Sequence, residues 1–221
     1  YGLAAVVPYP QGAPVYWAGD AGRSNNPHSI ELLPNGNVAV AASNGGFVRI
    51  YTASQGPRST TFVTYALKGA HGVHWDERNA LLWAIGDDHL VGLVVGGTAA
   101  APTVTEVRRS ALPTPYGHDL QPVATDPDRL WLTTNAGVYQ YAVEDGTFHT
   151  DYRGADRIDA PGVKSVGDER ASGQVLTSMI QTGNICTWCT DTATLHLPSE
   201  SFVLHGAQIY KSRWWVDPQR D

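Results

Sequence analysis

Cysteine, basic runs and long apolar stretches are all scarce in this chain of 221 residues, and each shortage removes a class of protein. Two cysteines, Cys186 and Cys189, cannot staple a disulfide-dense scaffold, and without a second pair they cannot complete a Cys-based zinc site. A redox CxxC wants a helix N-terminus after a strand, which the run from Asn184 to Thr190 does not supply. A local disulfide, or two unpaired thiols on a hairpin, is therefore expected there. Charged residues make up only 16% of the chain, the formal net charge is −6, and no basic run occurs, which excludes a nucleic-acid binder. No window approaches the roughly 18 continuous apolar residues of a membrane span. The first residue is Tyr1, so a leader or upstream segment is expected to have been removed. That start and the few lysines point to a secreted, extracellular protein. What the chain does have is bulk: 42% hydrophobic residues, with 7 Trp and 10 Tyr, enough to bury a core and too much for disorder.

The same layout recurs five times. Its heads are His28, His71, His118, Lys164 and Lys211, spaced by 43, 47, 46 and 47 residues. Each head opens a short strand, followed by a polar turn, an apolar strand, a second turn, an alternating strand and one more strand. In the first unit these fall near 29–33, 37–43, 46–52 and 60–66, with Asn44-Gly45-Gly46 as a hairpin turn. No 3.6-residue apolar period persists, so helix is expected to be essentially absent. Four strands per unit is the blade of a β-propeller. The expected fold is all-β: a single five-bladed propeller over 1–221, with blades at about 24–67, 68–112, 113–155, 156–207, and 208–221 plus 1–20. The last unit shows only Ile209 to Val216, so strands at Leu3 to Val7 and Val15 to Ala18 are expected to pair with it and close the ring.

In such a ring the five heads converge on the channel. Three imidazoles and two ammonium groups repel one another unless something compensates them. His28, His71 and His118 suit a divalent metal ion (Mn, Zn or Ca) with positions open for water or substrate. Lys164, Lys211 and Tyr116 are the candidate bases or anion clamps. Trp75, Asp119, Arg213 and Trp214 lie beside heads and are candidate substrate contacts, because aromatic faces next to polar groups suit sugar rings. Glu31, His74 and Gln121, three residues past their heads, are expected to pack or bond between blades. His89 is expected in a turn, and His149 and His196 on solvated outer strands. Trp83 and Trp131 occupy matching places in second strands and are expected to pack between blades.

The phrases Asn26-Pro27-His28-Ser29-Ile30-Glu31, Ala70 to Asp76, Gly117 to Pro122, Val163-Lys164-Ser165-Val166 with Ser172-Gly173-Gln174, Trp188 to Thr192 and Ile209 to Trp215 resemble an uncharacterised family of secreted bacterial five-bladed propellers, a domain of unknown function. The resemblance spans about residues 24–216 and implies an extracytoplasmic propeller without supplying an activity. The His pattern at 28, 71 and 118 is loosely similar to oligogalacturonate-type lyases, whose propeller holds a channel metal. Three functions compete. One is a metal-assisted lyase on an anionic, uronate-containing glycan. Another is a lectin-like module that binds the same glycan or a small anionic ligand. The third is a structural or interaction propeller. In each case a monomer is expected.

Overall fold

A computed structural model describes residues 2–215, which fall into two compact units, 1–112 and 113–221. The first unit opens with a two-stranded ribbon, β1 (Leu3–Val6) paired antiparallel with β2 (Trp17–Asp20). Two four-stranded sheets follow. One is built from β3 (Pro27–Leu32), β4 (Val38–Ala42), β5 (Phe47–Tyr51) and β6 (Phe62–Ala66). Its successor holds β7 (Gly72–Asp76), β8 (Leu81–Ile85), β9 (His89–Gly97) and β10 (Pro102–Ala111). In the second unit the sheets are β11 (Gly117–Val123), β12 (Asp126–Thr134), β13 (Val138–Ala142) and β14 (Thr147–His149), then β15 (Val163–Asp168), β16 (Val175–Met179), β17 (Thr192–His196) and β18 (Glu200–Val203). In all four sheets consecutive strands pair antiparallel in chain order, the up-and-down arrangement of a propeller blade. The only α-helix among the described residues is the single turn α1 (Ala155–Ile158).

Second strands are apolar because each is covered on both faces. All five residues of β4 and of β8 are buried. In the first unit Ala39, Ala41 and Ile50 of one blade pack with Val73, Leu82, Ala84 and Val91 of the next in one cluster. Ala4 and Trp17 of the ribbon pack on Val38, Val40 and Tyr51. In the second unit Val123, Trp131 and Val138 share a cluster with Val163, Val166 and Val175. Large side chains this fully buried contribute about 1.5–3 kcal/mol each.

Three corrections to the sequence reading concern local structure. The segment expected as a strand from Ile209 carries only an isolated bridge, Ile209 to Thr190, and no strand through Trp215; Val216 lies outside the described residues. His89 begins β9 instead of lying in a turn. His196, expected to be solvated, is buried and shares a hydrogen bond with Thr177 Oγ1 at 2.9 Å, because β17 is an inner strand covered by β18.

Candidate functional site

Three heads of the repeat, His28, His118 and Lys164, sit at irregularities in their strands. The register between first and second strands slips between Pro27 and Ser29, between Gly117 and Asp119, and between Val163 and Ser165. The residue left over at each slip is His28, His118 or Lys164. An extra residue in one strand bends it and re-aims its side chain, which is why bulges gather beside functional sites. Immediately after these three heads stands an acceptor that reaches the next repeat unit. Ser29 Oγ accepts the Val73 N–H at 3.2 Å, Asp119 Oδ2 accepts the Val166 N–H at 3.1 Å, and Ser165 Oγ accepts the Ser212 N–H at 2.9 Å. Asp119 stands out in this series, since it brings a charge where the others bring a hydroxyl.

That charge organises the second unit. Asp119 is 0% exposed, and its Oδ1 takes Arg213 at 2.5 Å and Lys211 at 3.2 Å. Burial opposes its ionisation, but Arg213, Lys211 and the Val166 N–H outweigh burial and hold the carboxyl below its usual range. Lys211 also donates to the His118 carbonyl at 2.7 Å; burial pushes its ammonium down, and Asp119 opposes that. Both cations come from the stretch after Ile209, which side chains dock in place. Ser178 Oγ donates to the Tyr210 carbonyl at 3.1 Å, and Trp214 Nε1 donates to the Gly167 carbonyl at 3.2 Å.

Next to this ion cluster lies a second group. Lys164 Nζ is 2.6 Å from His118 Nε2 and 3.1 Å from Asn135 Oδ1, and the same His118 nitrogen is 2.6 Å from Asn135 Oδ1. An ammonium and an imidazolium cannot face each other at that separation, so the pair carries at most one positive charge. Lys164 is 6% exposed, and burial, helped by the Lys211 charge, lowers its pKa to about 8. No carboxylate pairs with it among the described residues. Tyr210 OH sits 3.4 Å from His118 Nδ1, and burial, with Asp119, raises that phenol to about 12. Tyr116 is 52% exposed and in a left-handed conformation (φ 66) uncommon for an aromatic residue, and its backbone carbonyl accepts the Asn135 backbone N–H at 3.1 Å.

The first unit brings His28 and His71 together as stacked rings, centroids 4.1 Å apart. Asn26 Nδ2 donates to His28 Nε2 at 2.9 Å, and His71 Nδ1 donates to the Gly69 carbonyl at 2.6 Å. His28 Nε2 accepts from Asn26, and His118 Nε2 lies against Lys164 and Asn135. Among the described residues no three His, Cys, Asp or Glu side chains are gathered as a cation site. Trp75 packs against the core cluster of its unit. Glu31 accepts the Trp75 N–H from the adjacent blade, and burial raises its pKa to about 7. His74 is held neutral down to about 4, chiefly by burial.

Glu31 gives a pH prediction with a definite sign. A carboxyl whose folded pKa lies above its unfolded value binds protons better when folded, so stability falls as pH rises between about 4.5 and 7. Glu31→Gln removes that dependence. Urea unfolding is expected to show the variant gaining about 2–3 kcal/mol on the native chain between pH 5 and pH 8.

Sequence reasoning assigned no role to Trp188 and Asn135. Asn135 opens the turn between β12 and β13 and reads as a turn residue. Trp188 lies between Cys186 and Cys189, which form a disulfide. Its ring meets Tyr210 edge-on at 5.8 Å and is 48% exposed.

Residues 15–220 match a family of unknown function, DUF6528. No curated protein matches the chain in sequence. Two solved structures share its fold. A catalytically inactive virginiamycin B lyase from Staphylococcus aureus with quinupristin aligns at 12% identity and TM-score 0.56, over 86% of this chain and 60% of that one. A Trichoderma reesei protein of Carbohydrate-Active Enzymes Family AA12 aligns at 13% identity and TM-score 0.55, over 94% of this chain and 56% of that one. The chain thus spans less than two thirds of either structure. Identities this low establish a common β-propeller fold and nothing about activity.

Proposed function

We propose, from the premise that the chain belongs to the DUF6528 family of unknown function, that it is an extracellular carbohydrate-binding propeller. Its ligand is an anionic, uronate-containing glycan, and the site is the cluster around Asp119, His118 and Lys164. One observation carries this: Lys164 is nearly buried and, among the described residues, faces no carboxylate, being flanked instead by His118, while Lys211 and Arg213 already neutralise Asp119. A carboxylate entering beside Lys164 supplies the missing charge. The solved lyase and carbohydrate-active enzyme of similar fold support a carbohydrate or small-molecule ligand. The Cys186–Cys189 disulfide supports an oxidising, extracytoplasmic location.

The test is calorimetric titration with oligogalacturonate. Lys164 is charged below about pH 8 and neutral above it. Affinity is therefore expected to be full at pH 7 and to fall about tenfold by pH 9. Lys164→Met is expected to bind at least roughly tenfold more weakly at pH 7 and to lose the pH dependence. Equal binding by the native chain and Lys164→Met would remove the site from consideration.

Turnover by β-elimination is the second reading, favoured by the contact of Lys164 with His118. In its neutral form Lys164 takes the proton α to the uronate carboxylate. The electron pair released becomes a C=C bond as the β C–O bond breaks, and the departing oxygen takes up a proton from the resulting Lys164 ammonium or from water. Ultraviolet absorbance of unsaturated products separates this reading from binding alone. The five-blade count, ring closure by the N-terminal strands, the monomeric state and a divalent cation on His28, His71 and His118 belong to the same proposal. Elemental analysis of protein purified without chelator tests the cation.

A further inference from the structure

We infer that Trp188 is a ligand-contacting residue of the Asp119–His118–Lys164 site, the aromatic wall on which a sugar ring stacks. This inference rests on the anionic-glycan reading. Trp188 meets Tyr210 only edge-on, and Tyr210 in turn touches His118 through its hydroxyl. The indole is thus one residue removed from the cationic pair and leaves about half its surface to solvent. An exposed indole beside a cationic pair is the composition that recognises a ring carrying a carboxylate: the apolar ring face on the indole, the anion on the ammonium.

The loop that presents Trp188 is rigid. The Cys186–Cys189 disulfide closes it. Gln181 Oε1 accepts from Asn184 at 3.1 Å, from Thr190 Oγ1 at 3.3 Å and from the Asp191 N–H at 3.0 Å, bracing both ends of the loop to one side chain. Directly after Cys189, Thr190 exchanges two backbone hydrogen bonds with Ile209, at 3.0 and 2.7 Å. The next residues, Tyr210 and Lys211, are members of the site. The disulfide loop and the C-terminal stretch are thus one hydrogen-bonded piece. Holding a large aromatic side chain in water on a braced loop gains nothing for folding, whereas a pre-ordered stacking surface removes the entropy loss that a mobile one would suffer on binding.

The experiment titrates two probes of equal carboxylate count, trigalacturonate with three rings and tricarballylate with none, into the native chain, Trp188→Ala and Trp188→Phe. Trp188→Ala is expected to weaken trigalacturonate at least tenfold and to leave tricarballylate within twofold. Trp188→Phe, which keeps a stacking face, is expected to stay within about threefold of native for both. A merely structural role would weaken both probes together in Trp188→Ala, and that result overturns the inference, as does no change for either. If the native chain binds tricarballylate but not trigalacturonate, anion binding survives and the stacking role falls. Binding of neither probe by the native chain sinks the anionic-glycan reading, and the role of Trp188 with it.

Discussion

Asp119→Ala is expected to be the most damaging single substitution in the second unit, costing about 3–5 kcal/mol in chemical unfolding. Its carboxylate is wholly buried and gathers three partners: Arg213, Lys211 and the Val166 N–H. Truncation leaves the Lys211 ammonium buried beside Lys164 with its countercharge gone. It also leaves a backbone N–H between two blades without its acceptor. Two further variants separate these causes. Asp119→Ser restores the hydroxyl acceptor that Ser29 and Ser165 use at matching places, and is expected to recover about 1 kcal/mol. Adding Lys211→Met to Asp119→Ala removes the orphaned charge and is expected to recover more than the serine does. Additive losses in that double variant would show that Asp119 and Lys211 do not act as a pair. Loss of anionic-glycan binding is expected alongside, because Lys211 and Arg213 would no longer be held by Asp119. The pH sign follows from the lowered pKa of Asp119: its contribution is present above the ordinary carboxylate range and is lost as pH falls through the folded value.

Asp168→Ala is expected to cost about 2–4 kcal/mol without touching that site. Asp168 ends β15, at the opposite end of the strand from Lys164. Its Oδ1 accepts the Ala124 N–H at 2.8 Å and Trp131 Nε1 at 2.9 Å, and its Oδ2 accepts the Thr125 N–H at 3.0 Å and Thr125 Oγ1 at 2.7 Å. One side chain thereby staples the β11–β12 hairpin of one blade to the first strand of the next, and satisfies an indole N–H that is buried with its ring. Asp168→Asn has one oxygen where two are needed and turns an NH2 toward donors, so it is expected to suffer most of the alanine loss. Near-native stability of either variant would mean that water replaces the carboxylate. The corresponding Asp76 accepts from Trp83 and Asn79 within its own blade, so its loss is expected to be smaller.

Much of the architecture was legible because a blade repeats. Strands expected near 29–33, 37–43, 46–52 and 60–66 occur at Pro27–Leu32, Val38–Ala42, Phe47–Tyr51 and Phe62–Ala66. The packing of Trp83 and Trp131 in second strands was legible for the same reason. Within the second unit, the structure brings His118, Asp119, Lys164, Lys211 and Arg213 together, all of them named from their places in the repeat. Trp188 escaped because a CxxC run in a loop has no periodicity, and only Tyr210, 22 residues later in the chain, gives it a context. Asn135 escaped because a turn asparagine looks alike whether or not its amide meets a lysine.

Alternation, turn residues and recurring heads are local properties of the chain, so the order of residues alone determined the strand content, the blade as the unit and the polar residue that begins each first strand. Which direction those polar residues take is not local. It depends on a one-residue slip between paired strands, on an acceptor reaching the neighbouring blade, and on a C-terminal stretch docked by side chains from β15 and β16. Only the folded chain decided that Asp119 would neutralise Lys211 and Arg213 and that Lys164 would meet His118 and Asn135 instead of a carboxylate among the described residues, because buried charges are balanced by whatever packing places within a few ångströms.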